Sequence, residues 1–366
     1  MRLPLTLALA AVPVLLATCS TPSAPKVDGA VAFHGTAKPY TRWWWFASHV
    51  DQGEVRAQLD WLKASGFGGV EIAFIYPSGR DPVAPRMEFL GPEWSQALAD
   101  TKRYADSIGL GCDFTFGTLW PFGGSWVDDA DRAKVFGDPD FRQEWRLSWE
   151  HGTPGNVIDH MSEGALERYA APLAAALAPA LEGSTSALFC DSWEVETRRI
   201  WTDGFGEAFQ ARYGYDVAPY MADLFAPASD GARYDYMKLV SEWLLERFYQ
   251  PFTRLCHDLG ALSRVQCAGS PTDLVAAYAA VDVPESEAML YEPGFARIPA
   301  SAAALAGRPL VSAESFTCLY GFPGVHLREE LTADLKLVAD ALFAHGVNRI
   351  VWHGTPFNGP GGDDNG

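Results

Sequence analysis

The stretch Leu62-Lys63-Ala64-Ser65-Gly66-Phe67-Gly68-Gly69-Val70-Glu71-Ile72-Ala73-Phe74-Ile75 contains a helix end, a turn and a strand. Upstream, Val55, Leu59 and Leu62 recur at helical spacing, which predicts a helix over 53–65 that Gly66 stops. The run from Val70 to Ile75 is apolar, rich in β-formers and too short for a helix, so it predicts a strand over 70–75. Before the helix, Thr41-Arg42-Trp43-Trp44-Trp45-Phe46 has the same character and predicts a strand over 41–46. The chain thus opens strand, helix, strand, the unit from which parallel sheets are built.

The alternation continues in both element types. A helix is predicted over 93–108, ending at Gly109, and a strand over 111–116. An irregular Trp- and Asp-rich stretch follows, then a helix over 162–181 and a strand over 187–191 (Ala-Leu-Phe-Cys-Asp). Helices are predicted over 204–213 and 234–259, and strands over 262–268, near 279–283, over 309–313 and over 349–353. A helix over 331–345 precedes the last of these strands. Eight short strands separated by helices predict an α/β fold, a (β/α)8 TIM-like barrel spanning 39–366. Neither GxGxxG nor GxxxxGK[ST] occurs, which argues against an open nucleotide-binding sheet. The sequence stops at Pro356-Phe357-Asn358-Gly359-Pro360-Gly361-Gly362-Asp363-Asp364-Asn365-Gly366, where a barrel ordinarily places a covering helix. A longer protein is therefore expected, this stretch lacking the last helix and any accessory β domains.

At the other end, Arg2 is followed by an apolar segment over 3–17, too short for a comfortable membrane span, and then by Cys19. This is the form of an export signal over 1–19, with Cys19 as the residue to be lipidated and a Ser/Thr/Pro-rich linker over 20–38. The expected locations are the periplasm, the outer membrane through a lipid on Cys19, or the exterior. A net charge of −18 and the absence of a basic run exclude nucleic acid and anionic lipid as partners. The 13 Trp, 13 Tyr and 21 Phe suit a carbohydrate partner, whose apolar C–H faces stack on aromatic rings, although aromatics also fill cores.

Barrels of this type carry chemistry at the C-terminal ends of their strands, so acidic residues closing a strand matter most. Three segments qualify. Asp191-Ser192-Trp193-Glu194-Val195-Glu196 follows the fourth strand, where desolvation beside Trp193 would raise a carboxyl pKa toward that of a general acid. Val283-Pro284-Glu285-Ser286-Glu287 follows the sixth, and either glutamate could face the mouth. Ser312-Ala313-Glu314-Ser315-Phe316 ends the seventh. Carboxylates after strands four and seven face each other across a barrel mouth, the arrangement glycoside hydrolysis requires. His353 and His49 end strands eight and one, and His353 suits a hydrogen bond to substrate. The histidines form neither HxH nor HExxH, which disfavours a His-based zinc site, and no GxSxG marks a serine nucleophile. Asp128, Asp129 and Asp131 could offer oxygens to Ca2+ but equally suit a helix start or a solvated loop.

Taken in order, Arg42-Trp43-Trp44-Trp45, Lys63 through Ile72, Asp191-Ser192-Trp193-Glu194, Trp201, Gly204-Phe205, Arg212-Tyr213-Gly214-Tyr215-Asp216, Pro284-Glu285-Ser286-Glu287, Ala313-Glu314-Ser315-Phe316-Thr317 and Gly346-Val347-Asn348-Arg349 resemble glycoside hydrolase family 106, the α-L-rhamnosidases. The resemblance runs from about residue 39 to 353. It implies an exo-acting, inverting hydrolase of terminal α-L-rhamnosides in plant or microbial polysaccharides or glycosides, with Ca2+ assisting substrate binding through ligands it does not assign. It further implies Glu194 as general acid and Glu314 as base, with Glu285 and Glu287 as alternates. Trp44, Trp45, Glu71, Trp120, Asp191, Trp193 and His353 are the expected substrate-binding residues, in a pocket also lined by Trp43 and Trp352. Two rival readings stay open: a retaining barrel glycosidase of other specificity, and a non-catalytic carbohydrate-binding lipoprotein.

Overall fold

The computed structural model describes residues 38–46, 50–75, 87–117, 121–145, 155–183, 185–196, 198–288, 293–320 and 329–357. The export signal and nearly all of the linker lie outside them, as do His49, Trp120 and residues 358–366. Eight parallel strands close into a barrel: β1 (Tyr40–Phe46), β2 (Gly69–Ile75), β3 (Gly111–Thr115), β4 (Ala187–Cys190), β5 (Leu262–Gln266), β6 (Val283–Ala288), β7 (Ser312–Ser315) and β8 (Arg349–Pro356). Each strand pairs with the next in sequence and β8 pairs with β1, as in a TIM barrel.

The helices form where the sequence carries both periodicity and caps. α1 (Gln52–Ala64) starts at Asp51, whose carboxylate accepts the amides of Gly53 and Glu54 at 2.8 and 3.3 Å. It ends before Gly66, whose φ of +97° is costly for any residue with a Cβ. α2 (Pro92–Ser107) opens with proline at its first position, where no amide is needed. α3 (Ala165–Leu181) precedes β4. Between β4 and β5 lie α4 (Phe205–Tyr213), α5 (Asp230–Leu244) and α6 (Gln250–Asp258). A π-turn over Leu245–Tyr249 joins α5 to α6. Pro251 follows it, lacks the amide that Arg247 would accept from, and so accounts for the irregular turn inside the single predicted helix. α7 (Leu274–Ala279), α8 (Arg297–Ala306) and α9 (Thr332–Ala344) complete the set described. Among the described residues no helix is long and apolar enough to cross a membrane.

Strand parity separates two environments. The outward set, including Trp43, Trp45, Val70, Ile72, Phe74, Phe114, Leu188 and Val265, is buried with Leu59, Leu62, Trp94, Leu98, Leu173, Leu177 and Phe252 of the helices. At about 1.5–3 kcal/mol for each large side chain buried, this layer supplies most of the stability. The inward set is unusually polar, as described below.

The sixth strand is a correction. It runs over Val283–Ala288, not 279–283, and residues 274–279 are helical. Pro284 concealed it, since proline inside a strand gives up a ladder donor. Glu285 and Glu287 therefore stand within the strand rather than after it. Glu314 likewise lies inside β7, which starts three residues later than predicted.

Long excursions rise from the C-terminal ends of β3 and β4. Gly123–Gly124, Glu144–Trp145 and Gly155–Val157 form a small antiparallel sheet. Lys134–Val135 pairs with Ile200–Trp201, tying the two excursions together on the mouth side.

Candidate active site

Because inward side chains alternate, register decides which charges meet. Arg42, Glu71 and Asp113 are level on β1, β2 and β3, and Gln266, Glu285 and Ser312 are level on β5, β6 and β7. Arg264, fully buried, pairs with Glu71 through Nη2 and with Asp113 Oδ2 through Nη1 at 2.8 Å. Its Nε lies 2.8 Å from Glu285 Oε2, an ion-pair contact too bent for a hydrogen bond. Arg42 donates from Nε to Glu71 Oε1 at 3.2 Å and from Nη1 to Glu314 Oε2 at 3.1 Å, with Asp191 Oδ2 3.7 Å from the same nitrogen. Both guanidinium groups lie over the Phe189 ring, 4.4 Å from its centroid for Arg42 and 4.7 Å for Arg264. Burial opposes both cations, but the surrounding carboxylates outweigh it and raise both arginine pKa values. At the opposite end, Tyr40 fills the barrel beside Arg349, whose guanidinium is 4.4 Å from its ring. Gly69 and Gly111 leave the room it needs, since a Cβ on either would overlap the phenol.

Above this layer the mouth is acidic. Glu314 Oε2 accepts from Arg42 and, at 2.9 Å, from Gln266 Nε2, while its Oε1 accepts from Thr317 at 2.7 Å. Phe316, with φ of +72°, turns the chain so that Thr317 can reach back, a strain of about 1–3 kcal/mol for a residue with a side chain. Burial raises the Glu314 pKa, but Arg42, His353, Gln266 and Thr317 outweigh it and bring the carboxyl down to about 2. Level with it on β6, Glu287 has the opposite tuning. Burial, then the charges of Glu314 and Glu194, push it up to about 7. Asp191, at the end of β4, is pushed up by burial and by Glu314 despite Arg42. His353 Nε2 lies 3.8 Å from Glu314 Oε1, and its ring meets Trp44 edge-on at 5.4 Å. The chain passes beneath the Trp44 indole at Gly354, where a Cβ would overlap it.

The structure brings Glu287, Glu314, Asp191, Glu194, His353 and Trp44 toward one mouth, as strand ends four, six, seven and eight with β1 predict. Glu194 is exposed, so the desolvation expected beside Trp193 falls instead on Asp191 and Glu287. Trp193 is half-buried against His160 at 4.7 Å. Glu285 is fully buried beneath the mouth, accepting from Gln266 at 3.1 Å and Ser312 at 2.6 Å. Glu71 is equally buried and engaged by Arg42, Arg264 and Thr115, so it builds the floor beneath the mouth. Trp45 is corrected outright, together with Trp43. Both point outward by strand parity and are completely buried, meeting edge to face with ring centroids 5.4 Å apart. Trp352 also faces outward, against Phe67 and Phe316. The reading of the sequence passed over Arg42, Asp113, Arg264, Gln266 and Thr317 as site residues. The first three share a signal: a charge inside an apolar strand, two residues from another inward position.

Among the described residues no three Asp, Glu, His or Cys side chains converge as metal ligands. Asp131 is held by Arg168 through two 2.6 Å bonds, and Asp129 pairs with Arg142 at 2.9 Å.

A closed (β/α)8 barrel with ionic walls and a carboxylate-ringed mouth is the class that fold and site define. The chain belongs to glycoside hydrolase family 106, the alpha-L-rhamnosidase family, whose profile matches residues 34–137 and 152–360. In structure it is similar to a rhamnosidase from Novosphingobium sp. PP1Y, at 14% identity and a TM-score of 0.66, over 88% of this chain and 55% of that one. A beta-galactosidase from Halorubrum lacusprofundi shares the fold at 14% identity and a TM-score of 0.55, over 86% of this chain and 52% of that one. In sequence it is 26% identical over 217 residues to a Formosa agariphila protein provisionally named a beta-glucuronidase, covering 55% of this chain and 18% of that protein. The chain thus spans about half the length of the rhamnosidase and less than a fifth of the Formosa protein.

Proposed function

We propose that the protein hydrolyses terminal α-L-rhamnosidic bonds in plant or microbial glycans, with carboxylates at the barrel mouth as acid and base. The carrying observation is Glu314, held by Arg42, Gln266 and Thr317 and drawn down to about 2, within a mouth of carboxyls. Glu194, across the mouth on the β4 loop, gives its proton to the glycosidic oxygen as the C–O bond breaks. Glu314, anionic at working pH, takes a proton from the water that attacks the anomeric carbon. Arg42, Gln266 and Thr317 keep Glu314 ionised and oriented, and Trp44 and His353 offer an aromatic wall and a hydrogen bond to the sugar.

The test is a series of aryl α-L-rhamnosides with leaving groups of graded acidity, turned over by the full-length protein. Glu194→Gln should slow the poorest leaving groups about 10²-fold or more and spare the most activated. Glu314→Gln should slow all of them. A second reading follows from the Glu287 tuning, in which Glu287 is the proton donor, and then the leaving-group dependence moves to Glu287→Gln. A fully folded protein that hydrolyses no member of the series would sink the rhamnosidase reading. Export, with lipid on Cys19, belongs to the same proposal, and loss of labelled palmitate in Cys19→Ala tests it.

A further inference from the structure

Glu194 sits on a segment, 191–196, that forms neither helix nor strand. Its position must come from contacts made by other parts of the chain. One is the Trp193 amide, which donates to Ala268 O at 2.9 Å, fastening the loop to the end of β5. Another is a single side chain from the β3 excursion. Gln143 Nε2 donates to Glu194 O at 2.8 Å, and Gln143 Oε1 accepts from Glu196 N at 2.9 Å. One carboxamide thus satisfies the carbonyl of Glu194 and the amide two residues on, as an edge strand would.

Gln143 is itself held. It is buried, its carbonyl accepts from Val157 N at 3.3 Å, and the turn before it is fixed by Arg132, which donates to the carbonyls of Phe141 and, at 2.7 Å, Pro139. A fixed carboxamide loses little entropy on binding the loop. Removing it leaves a carbonyl and an amide without these partners. Residue 143 lies between the two segments that match the family profile, so the clamp is supplied by a stretch outside the matched core.

We infer that Gln143 is a positioning residue that fixes Glu194 for proton transfer by clamping the backbone at the Glu194 carbonyl and at the amide two residues on. The inference rests on Glu194 as the proton donor. Its test uses Gln143→Ala and Gln143→Glu in the full-length protein, with two readouts. The first is hydrogen exchange in the 192–196 segment, which needs no activity and should quicken about tenfold or more in Gln143→Ala. The second is the leaving-group series. A group displaced from its working geometry loses on the order of 10²-fold, but only where it is needed. Gln143→Ala should therefore lose about 10- to 100-fold in kcat on the poorest leaving groups, with KM little changed, and under about threefold on the most activated. Gln143→Glu keeps the acceptor for Glu196 but sets a carboxylate against the Glu194 carbonyl. It should show the same selectivity and move the alkaline limb of the pH profile, set by loss of the donor's proton, upward. Unchanged exchange would overturn the clamp, and a loss equal across all leaving groups would overturn its role in proton transfer. If Glu194→Gln itself shows no leaving-group dependence, the assignment of the donor fails and this role with it, while exchange still reports on the clamp.

Discussion

Glu287→Gln should flatten the pH dependence of stability between pH 5 and pH 8. Burial, Glu314 and Glu194 carry the Glu287 carboxyl from its ordinary 4.5 up to about 7, so the folded protein prefers the proton. With the folded value above the unfolded one, the stabilisation is complete below pH 4.5. It declines as the pH rises toward 7 and stays lost above it. The shift corresponds to about 3 kcal/mol, and the partial contact of Glu287 with water reduces that to about 1–2 kcal/mol. Asp159, raised by burial to about 6, titrates in the same window but is present in both proteins, so the comparison cancels it. Glu314, held near 2, contributes stability that is lost only as the pH falls toward that value, below the window. Urea unfolding at pH 5 and pH 8 should show the wild type losing about 1–2 kcal/mol more than the Gln variant, with equal m-values. Equal losses in both proteins would refute the placement of Glu287 in a dry, anionic surrounding.

The remaining expectations concern the floor and the wall. Arg264→Met leaves Glu71, Asp113 and Glu285 facing one another without their shared cation and should cost about 3–5 kcal/mol in urea unfolding; a loss under about 1 kcal/mol would show that the carboxyls neutralise one another by taking up protons. Trp45→Ala should cost about 3–5 kcal/mol of stability by emptying a core site. Trp44→Ala should instead raise KM for a rhamnoside severalfold with a smaller loss of stability, and the reverse pattern would contradict the strand parity that separates them.

Most of the barrel is legible in the sequence, because helices and strands leave different periodicities and glycines mark the turns. α1 and β2 follow from Val55, Leu59, Leu62, Gly66 and the apolar run after it. The sixth strand was displaced because Pro284 and the glutamates of Val283–Ala288 look like a loop. Only closure of the barrel makes room for charged side chains pointing inward. The acidic candidates are legible because Glu314 follows the apolar run Pro309–Ala313, and Asp191 and Glu194 follow the apolar β4.

Sequence order by itself determined the alternation of elements, and hence the barrel, because hydrophobic period and turn residues are local properties. Tertiary structure alone decided which tryptophan of Arg42-Trp43-Trp44-Trp45 meets the mouth, because parity acquires an inside and an outside only when the sheet closes. It also set Glu314 near 2 and Glu287 near 7. Those values depend on Arg42, Gln266 and Thr317 from three places in the chain, and on burial that no single segment supplies.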